Sequence, residues 1–371
     1  MQSLRNSGSG QEIRKLDMSR KVKIAAVAIE DDEVLMTVAT GHAFEEVYKN
    51  TGLRLARFAY ESILPEPVRI RREGGQYEHL RQGRDFASSL LERMISDFLD
   101  RLGDKPDIIG ISTFGTVNTK TGEFHHRPSR GQNKLGYIRL NLQDLLARHG
   151  IPVVADNDAT AAAFGEYLFG VGQAHQLAAH HAFAYVWAGR GLNAGIVIDG
   201  MPWQGKLHPE MGHLPARRYM TGLHEKGRDP HPGNCGSHDD CLTGLAGRRA
   251  FMERAAMKGW TERKSLDAMA YYIAQLCAAL TLTVVPVSIA LGGLSFRGEH
   301  AETLLERVRH YHSELFVADF PGYDDISTAQ EVLIPSQLGD QASLLGAMEI
   351  ARRHLFPTHQ LYSGDMSHVR G

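Results

Sequence analysis

Short runs of apolar residues alternate along this chain with stretches in which apolar residues recur at helical spacing. Residues 22–30 form one apolar run and residues 33–39 another, and the short gap between them predicts a tight β-hairpin. Residues 183–187 and 194–198 flank a glycine-rich turn and predict two further paired strands. The chain therefore contains at least two antiparallel pairs, each followed by segments with a helical pattern.

Helices and single strands follow these pairs. Apolar residues from Phe86 to Leu102 recur at helical spacing, and Gly103 is placed to end that helix. Further helices are predicted at 142–148, 157–169, 268–282, 301–316 and 341–352, and further strands at 107–113, 151–155, 287–291 and 332–334. Repeated units of two strands, a helix and a strand predict an α/β fold in two lobes.

The predicted lobes divide the chain near residue 150. Residues 1–21 are polar with a Ser/Gly patch, and we expect them to form a flexible leader. Residues 22–150 are expected to form a small α/β lobe, and residues 151–340 a large α/β lobe. The C-terminal helix, at 341–356, is expected to pack back on the small lobe.

Residues 43–84 are the least regular part of the chain. Pro65, Pro67 and the pair Gly74-Gly75 interrupt any periodic pattern there. The sequence RIRR at 69–72 is interpreted as a solvated basic face. This segment therefore carries no predicted strand or helix.

The composition is that of an ordinary globular protein. The chain has 371 residues, of which 43% are hydrophobic and 23% charged, and its formal net charge at pH 7 is −2. This balance gives no indication of a nucleic-acid partner, and we find no run of about 18 apolar residues that would span a membrane. The N-terminus has no apolar stretch typical of a signal peptide, so we expect a cytoplasmic protein.

Two of the three cysteines lie in a short loop together with a histidine. Cys235, His238 and Cys241 fall within seven residues, and His213 follows a glycine about two dozen residues earlier. Thiolate and imidazole ligands at this spacing suit tetrahedral Zn²⁺, and His213 is the candidate for the fourth ligand. Four protein ligands leave no open position, so the predicted role of the metal is structural. The alternatives are two unmodified thiols or a disulfide, and the disulfide is disfavoured because nothing else indicates an oxidising compartment.

Six blocks of sequence resemble, in order, those of the ROK family of sugar kinases and repressors. The blocks are IPVVADNDATAAAFGEYLFGVG (151–172), GRGLNAGIVIDG (189–200), EMGHLPARR (210–218), CGSHDDCLTGLAG (235–247), IALGGLS (289–295) and LGDQASLLGAM (338–348). The loop with two cysteines and a central histidine is most similar to the zinc-containing fructokinase and glucokinase branch.

The resemblance implies an actin/hexokinase-like (ribonuclease H-like) fold with a structural zinc loop at 213–241. It also implies a sugar or sugar-like polyol substrate in the cleft between the lobes, ATP and Mg²⁺ beside it, and a homodimer. Repressors of the family carry a DNA-binding domain before the core. Residues 1–21 are too few and too polar for one, so we expect no nucleic-acid partner.

The resemblance also assigns roles around the sugar. Asp158 would be the general base that accepts the proton of the attacking hydroxyl, although an isolated aspartate at this place is commonly a helix cap or a first-turn acid. Asn157 and Glu210 would bind sugar hydroxyls, the alternative for Glu210 being an ordinary surface carboxylate. His213 would bind zinc and fix the Glu210 loop. Thr243 stands among these substrate residues where the family usually has a glutamate, which puts a plain hexose fit in question.

The nucleotide would be bound by two glycine-containing turns. Gly189, Arg190 and Gly191 form the first of them, with Arg190 where the family has a hydroxyl residue. Gly292 and Gly293 would lie under the adenosine, although on spacing alone they are only a turn that ends a strand.

The first hairpin departs from the family pattern Glu-x-Gly-Gly-Thr, in which backbone amides approach the phosphates. Glu30, Asp31, Asp32 and Glu33 occupy this turn, with acids where the two glycines belong. A carboxylate at about 4 Å from a phosphate costs about 4 kcal/mol at an effective dielectric of about 20. An additional Mg²⁺ bound by these acids would make their interaction with the phosphate favourable. Arg190 would either bind a phosphate or pair with residues 31–33 and close the pocket.

Three functional hypotheses follow. The first is an ATP-dependent kinase acting on a hydroxyl of a hexose, amino sugar or cyclitol, with Asp158 as base. The second is an ATP-independent enzyme that uses Asp158 and Glu210 as an acid–base pair on a sugar or glycoside. The third is a catalytically silent sugar-binding protein, against which the complete Asn157-Asp158 and Glu-Met-Gly-His set argues. Family resemblance favours the kinase.

Overall fold

A computed structural model describes residues 20–30, 33–47, 54–64, 66–71, 86–126, 138–177, 181–221, 227–315 and 326–356. Its strands are β1 (Lys21–Ile29), β2 (Glu33–Val47), β3 (Arg54–Ile63), β4 (Val68–Arg71), β5 (Ile108–Thr113), β6 (Thr116–Asn118), β7 (Glu123–His126), β8 (Ile138–Asn141), β9 (Val153–Asn157), β10 (Phe183–Ala188), β11 (Leu192–Ile198), β12 (Met201–Pro202), β13 (Ser288–Gly292) and β14 (Leu333–Pro335). Its α-helices are α1 (Phe86–Arg101), α2 (Leu142–Leu145), α3 (Asp158–Phe169), α4 (Val171–Ala174), α5 (Leu242–Ala246), α6 (Arg248–Ala255), α7 (Glu262–Thr283), α8 (Ala301–Leu315), α9 (Ile326–Val332) and α10 (Ala342–Leu355).

The first sheet has the strand order β3-β2-β1-β5-β9, and β4 also pairs with β2. Strand β1 pairs antiparallel with β2 and parallel with β5, which confirms the first predicted hairpin. Residues 24–29 of β1 are buried on both faces: Ala25 and Val27 face one apolar cluster, whereas Ile24 and Ala26 face another. Burial on both faces explains why this strand appears in the sequence as a continuous apolar run.

The second sheet has the order β12-β11-β10-β13-β14. Its first two strands pair antiparallel, and β13 and β14 add in parallel. Each sheet thus places its strands in the order third, second, first, fourth, fifth along the chain. The two-lobed α/β prediction is confirmed, and the shared order shows a relation between the lobes that the sequence did not reveal.

Helices α3 and α10 cross where the two sheets approach each other. A Cβ on Gly165 of α3 would lie 2.1 Å from the Ala342 carbonyl oxygen, and one on Gly346 of α10 would lie 1.7 Å from that of Ala161. Helix α10 also packs on the first sheet, where a Cβ on Gly110 would lie 2.1 Å from the carbonyl oxygen of Ala347. Only glycine permits backbones this close.

The segment at 43–84 is more regular than predicted. It contains the end of β2 and all of β3 and β4. Pro67 lies in the connection between the last two, whereas Pro65 lies outside the described residues. Arg69 is exposed, in agreement with the interpretation of residues 69–72 as a solvated basic face, and it also forms ion pairs with Glu33 and Asp340. Gly74 and Gly75 lie outside the described residues, as does residue 72.

Helix α7 is longer than the predicted 268–282. By length and composition it could cross a membrane, contrary to the expectation that no segment would meet this test, and 67% of the qualifying window is buried inside the molecule. Such burial is what the core helix of a globular protein shows. The small sheet β6-β7-β8 and helices α5, α6 and α9 were not predicted at all. The predicted leader lies outside the described residues except for Arg20 and Lys21.

Candidate active site and candidate metal centre

Asn157 and Asp158 stand where β9 ends and α3 begins. The Asn157 side chain caps the helix, because its Oδ1 accepts the Ala159 N–H at 3.0 Å. Its Nδ2 donates to the carbonyl oxygen of Gly115 at 3.1 Å. Asp158 is the first residue of the helix, is 8% exposed, and its Oδ1 accepts the Ala159 N–H at 2.7 Å. The alternative given for Asp158, a helix cap or a first-turn acid, is correct in its second form: the cap is Asn157, and Asp158 lies in the first turn, at the positive end of the helix dipole, where a carboxylate is stabilised.

Asp156 is a third polar residue at this junction, and sequence reasoning missed it. It is 3% exposed, its Oδ1 accepts the Asn157 N–H at 2.7 Å, and its other oxygen accepts a hydrogen bond from Gln204. Burial raises the pKa of Asp156 to about 7, although the bonds from Asn157 and Gln204 act in the opposite direction. The sequence pattern of β9 does not indicate that the carboxyl group of Asp156 is buried.

Glu210 faces the same junction from the second lobe. Its Oε1 accepts a hydrogen bond from Thr116 Oγ1 at 3.1 Å, and its Oε2 lies 3.9 Å from His213 Nε2. Thr116 directly follows Gly115, to which Asn157 is bonded. The structure therefore brings three predicted residues together, Asn157, Asp158 and Glu210, around the loop that follows β5.

His208 supports Glu210 from below. It is 4% exposed, its Nε2 accepts the Val117 N–H at 3.1 Å, and its Nδ1 lies 3.2 Å from the carbonyl oxygen of Pro209. Its Nε2 also lies 3.7 Å from Glu210 Oε1.

Asn193 and Gly212 hold the Glu210 segment on β11. Asn193 Nδ2 donates to the Pro209 carbonyl at 3.3 Å, and its Oδ1 accepts the Gly212 N–H at 3.4 Å. A Cβ on Gly212 would lie 1.7 Å from the Leu192 carbonyl oxygen. Asn193 thus has a structural role.

His213, Cys235, His238 and Cys241 converge as predicted. Their ligand atoms all lie within 4.8 Å of one another, with 3.2 Å between the two Nδ1 atoms and 3.7 Å from Cys235 Sγ to each of them. A tetrahedral zinc with ordinary bond lengths requires about 3.3 Å between nitrogens and about 3.6 Å between nitrogen and sulfur. The donor set and these spacings fit that ion.

The two thiols change each other's pKa in opposite directions. A hydrogen bond from Cys241, together with one from His213, lowers the pKa of the Cys235 thiol, and the same pairing raises the pKa of Cys241. The contact with Cys235 also raises the pKa of His213. The third cysteine, Cys277, is buried in α7, away from this cluster.

A buried ion pair supports the loop that carries the cysteines. Arg254 Nη2 lies 2.8 Å from Asp229 Oδ2, and both side chains are fully buried. Tyr272 donates to the same carboxylate at 2.6 Å, and Asp229 Oδ1 accepts the His231 N–H at 3.0 Å. The chain before Cys235 is therefore fixed independently of any metal.

The turn between β10 and β11 contains Gly189, Arg190 and Gly191. The Gly189 N–H donates to the Gly191 carbonyl at 2.9 Å. Thr243 Oγ1 accepts the Leu192 N–H at 2.8 Å, and a Cβ on Gly191 would lie 2.5 Å from that hydroxyl. Thr243 thus supports the turn, and its contact with a sugar stays a prediction.

Gly292 and Gly293 lie beside this turn, because Gly292 pairs with Trp187 across β10 and β13. Gly293 has φ of 90°, and a Cβ on it would lie 2.5 Å from the Ala188 carbonyl oxygen. A Cβ on Gly292 would lie 2.0 Å from the Tyr185 hydroxyl. The two predicted nucleotide turns therefore adjoin, and their glycines serve close backbone packing.

The first turn is partly neutralised by its neighbours. Glu30 is buried, and its Oε1 accepts the Ser343 hydroxyl of α10 at 2.6 Å. Glu33 is bonded to Arg69 of β4, which also contacts Asp340 just before α10. Pairing of Arg190 with Glu33 was one prediction, but the partner of Glu33 is Arg69.

Asp31 and Asp32 lie outside the described residues. The choice of Arg190 between these acids and a phosphate therefore stays a prediction.

Known proteins match this chain over most of its length. The model of the ROK family matches residues 71–354. A putative fructokinase of Bacillus subtilis is 31% identical over 258 residues, which cover 67% of this chain and 79% of that protein.

Solved structures share the fold. A ROK family glucokinase from Streptomyces griseus, in complex with glucose and AMPPNP, superposes with a TM-score of 0.59 at 20% identity, covering 89% of this chain and 99% of its own. A ROK family transcriptional regulator, a homologue of the Escherichia coli MLC protein, superposes with a TM-score of 0.58 at 18% identity. The match covers 90% of this chain and 78% of the regulator. Both an enzyme and a regulator thus have this architecture, so the fold alone does not choose the activity.

Proposed function

The chain belongs to the ROK family, and we propose that within it this protein is an ATP-dependent kinase that phosphorylates a hydroxyl of a sugar or sugar-like polyol. Hexoses are the first substrates to test, because relatives are named fructokinase and glucokinase. Amino sugars and cyclitols follow, since Thr243 replaces an acidic residue. Cytoplasmic location and a homodimer remain part of the proposal. The lobe boundary, expected at 150/151, is proposed to follow β9, because β9 pairs with β5 of the first sheet.

The observation that carries the proposal is the convergence of Asn157, Asp158 and Glu210 on the loop at Gly115 and Thr116. These residues come from both lobes and meet at one end of the cleft, which we call the acceptor side. The turns at 30–33, 189–191 and 292–293 form the donor side. Hydrogen-bonding side chains from several elements at one place are what orientation of a polyhydroxyl substrate requires.

Asp158 is the proposed general base. As the first residue of α3 it is held by the helix cap, so the direction of its carboxylate is fixed before substrate arrives. It would accept the proton of the attacking hydroxyl, a role worth about 10²- to 10⁴-fold in rate. Asn157 and Glu210 would donate to and accept from neighbouring hydroxyls, which selects the oxygen that faces Asp158.

A structural zinc would brace the acceptor side. The metal would bind Nδ1 of His213, which leaves Nε2 of that ring directed toward Glu210 at 3.9 Å. A metal-bound histidine commonly donates its other N–H to a carboxylate, which fixes the orientation of both groups. Loss of the metal would therefore loosen the Glu210 segment.

Nucleotide would be held on the donor side. The turns at 189–191 and 292–293 lie side by side, because Gly292 pairs with Trp187, and Arg190 adds a positive charge there. Pairing of Glu33 with Arg69 reduces the like-charge penalty of the first turn. MgATP supplies the phosphoryl group and neutralises the charge that develops on it.

The test is calorimetric titration with MgATP in the presence and absence of fructose, glucose, mannosamine and inositol, combined with detection of the phosphorylated product. Nucleotide binding that tightens with one of these acceptors, and product formation that disappears in Asp158→Asn, would support the kinase. Sugar binding without any nucleotide binding would overturn it.

That second outcome would favour the ATP-independent enzyme. One observation keeps this candidate open: Glu30 and Glu33 place two carboxylates where close backbone approach to phosphate is expected. Hydrolysis of a glycoside without nucleotide would identify it, and binding without any chemistry would indicate a silent sugar-binding protein.

A further inference from the structure

Asp156 has no part in the proposed reaction, yet it is bonded to both sides of the junction that carries Asp158. Its Oδ1 accepts the backbone N–H of Asn157 at 2.7 Å. Its second oxygen accepts a hydrogen bond from the Gln204 side chain, which belongs to the segment that follows β12 in the second lobe. A residue that is 3% exposed thereby links the two lobes below the acceptor side.

These bonds belong to a closed series. From Asn157 the series continues through the Gly115 carbonyl and the adjacent Thr116 to Glu210. The chain then returns from Glu210 to Gln204 within seven residues, and Gln204 is bonded to Asp156, so the series closes on itself beside Asp158. A closed series resists displacement of any one member, because moving it breaks two bonds.

The interaction at Asp156 depends on its acceptor oxygens and less on a permanent charge. Both of its described partners, the Asn157 N–H and the Gln204 amide, are hydrogen-bond donors. Burial raises the pKa of this carboxyl to about 7, so near neutral pH it is ionised in only part of the molecules. Asparagine retains an acceptor oxygen for Asn157, and Gln204 can turn its amide over to accept from the new NH₂ group.

We propose that Asp156 and Gln204 are positioning residues for the phosphoryl transfer, which fix the backbone at Asn157 and through it the direction of the Asp158 carboxylate. The inference rests on the proposed function. Neither residue touches the substrate: Asp156 acts through Asn157, and Gln204 acts through Asp156.

The kinetic test compares Asp156→Ala, Asp156→Asn, Gln204→Met and the double variant Asp156→Ala/Gln204→Met, with Lys206→Ala as the exposed control in the same segment. Displacement of a base by a fraction of an ångström lowers rates by about ten- to a hundredfold, so we expect kcat to fall by that factor in Asp156→Ala and about tenfold in Gln204→Met. The sugar KM should change less than about threefold, and Asp156→Asn should recover most of the loss.

The double variant should be no slower than Asp156→Ala, because Gln204 acts through Asp156. Losses that multiply, a failure of Asp156→Asn to recover the rate, or unchanged kcat in both single variants would overturn the inference. A merely structural role would lower the folded fraction and leave kcat per folded molecule unchanged.

A second measurement does not need activity. Amide hydrogen exchange of the substrate-free protein should be faster at residues 156–160 in Gln204→Met than in the unsubstituted protein and in Lys206→Ala. Acceleration confined to residues 203–210 would overturn the inference even if turnover falls. If the unsubstituted protein phosphorylates none of the acceptors, the proposed function fails, while the exchange result still decides whether Gln204 fixes the junction.

Discussion

The acceptor side and the donor side of the cleft are held in different ways. On the acceptor side, Asn157, Asp158 and Glu210 are fixed by a helix cap, a buried carboxyl and a loop with metal-binding geometry. On the donor side, the first turn depends on an ion pair with Arg69, whose side chain is 40% exposed. Exposed ion pairs contribute little stability, whereas buried hydrogen bonds are costly to lose. Changes on the acceptor side should therefore have larger effects than changes on the donor side.

The largest effect is expected at the base itself. Asp158→Asn keeps the shape of the residue and its bond to the Ala159 N–H but removes the proton acceptor, so kcat should fall by about 10²- to 10⁴-fold. Sugar affinity, measured by calorimetry, should stay within about threefold. An unchanged rate would show that the acceptor side does not supply the base.

The second effect concerns stability and pH at Asp156. Its folded pKa, about 7, lies above its unfolded value, so the protonated form stabilises the native state and that contribution is lost as pH rises from about 4 to about 7. The loss is about 1.4 kcal/mol per pH unit, which gives an upper bound of about 4 kcal/mol.

Asp156→Asn should remove this dependence. Urea unfolding at pH 5 and pH 8 should show that the variant gains stability relative to the unsubstituted protein at the higher pH. If the free energy of unfolding differed between the variant and the unsubstituted protein by the same amount at pH 5 and pH 8, a raised pKa at Asp156 would be contradicted.

The third effect tests whether a metal bound by His213, Cys235, His238 and Cys241 stabilises the acceptor side. Cys241→Ser removes one ligand, and sugar affinity should fall by about 10- to 100-fold together with the unfolding temperature. Ser237→Ala in the same loop is the control. A chelator should reproduce the effect in the unsubstituted protein and leave Cys241→Ser unchanged; sugar affinity that survives chelation would separate the loop from the acceptor side.

The smallest effect is expected on the donor side. Arg69→Ala leaves Glu33 and Asp340 without this cation, and the nucleotide KM should rise by about two- to fivefold while the sugar KM stays constant. The double variant Arg69→Ala/Glu33→Gln should recover most of that change. If Arg69→Ala weakened nucleotide binding by a larger factor than Cys241→Ser weakens sugar binding, the donor side would be the more sensitive of the two sides.

Sequence patterns were sufficient to predict the structure where a residue type in a given pattern usually adopts one local arrangement. The apolar run of β1, the helical pattern at 157–169 and the spacing of Cys235 and Cys241 each predicted a local arrangement that the structure shows. Asp156 and Thr116 were missed because their roles depend on partners 48 and 94 residues away in the chain. No local pattern carries such information.

The strands β3 and β4 were missed for a different reason. Pro67 lies between β3 and β4 and not within either strand, and Arg69 lies in β4, where it forms ion pairs. Proline and charge both lower strand propensity, but edge strands tolerate both. Tertiary pairing with β2 here overrides local preference.

The crossing of α3 and α10 has a mechanical consequence. Gly165 lies seven residues from Asp158, and Gly346 lies three residues from Ser343, which is bonded to Glu30. At a rise of about 1.5 Å per residue, the distance along the helix axis from the crossing is about 10 Å to Asp158 and about 5 Å to Ser343. A rotation of about 10° at the crossing would displace Asp158 by about 2 Å. Two glycines without a side chain thus let the helix that carries the base and the helix that holds the donor turn touch at one point.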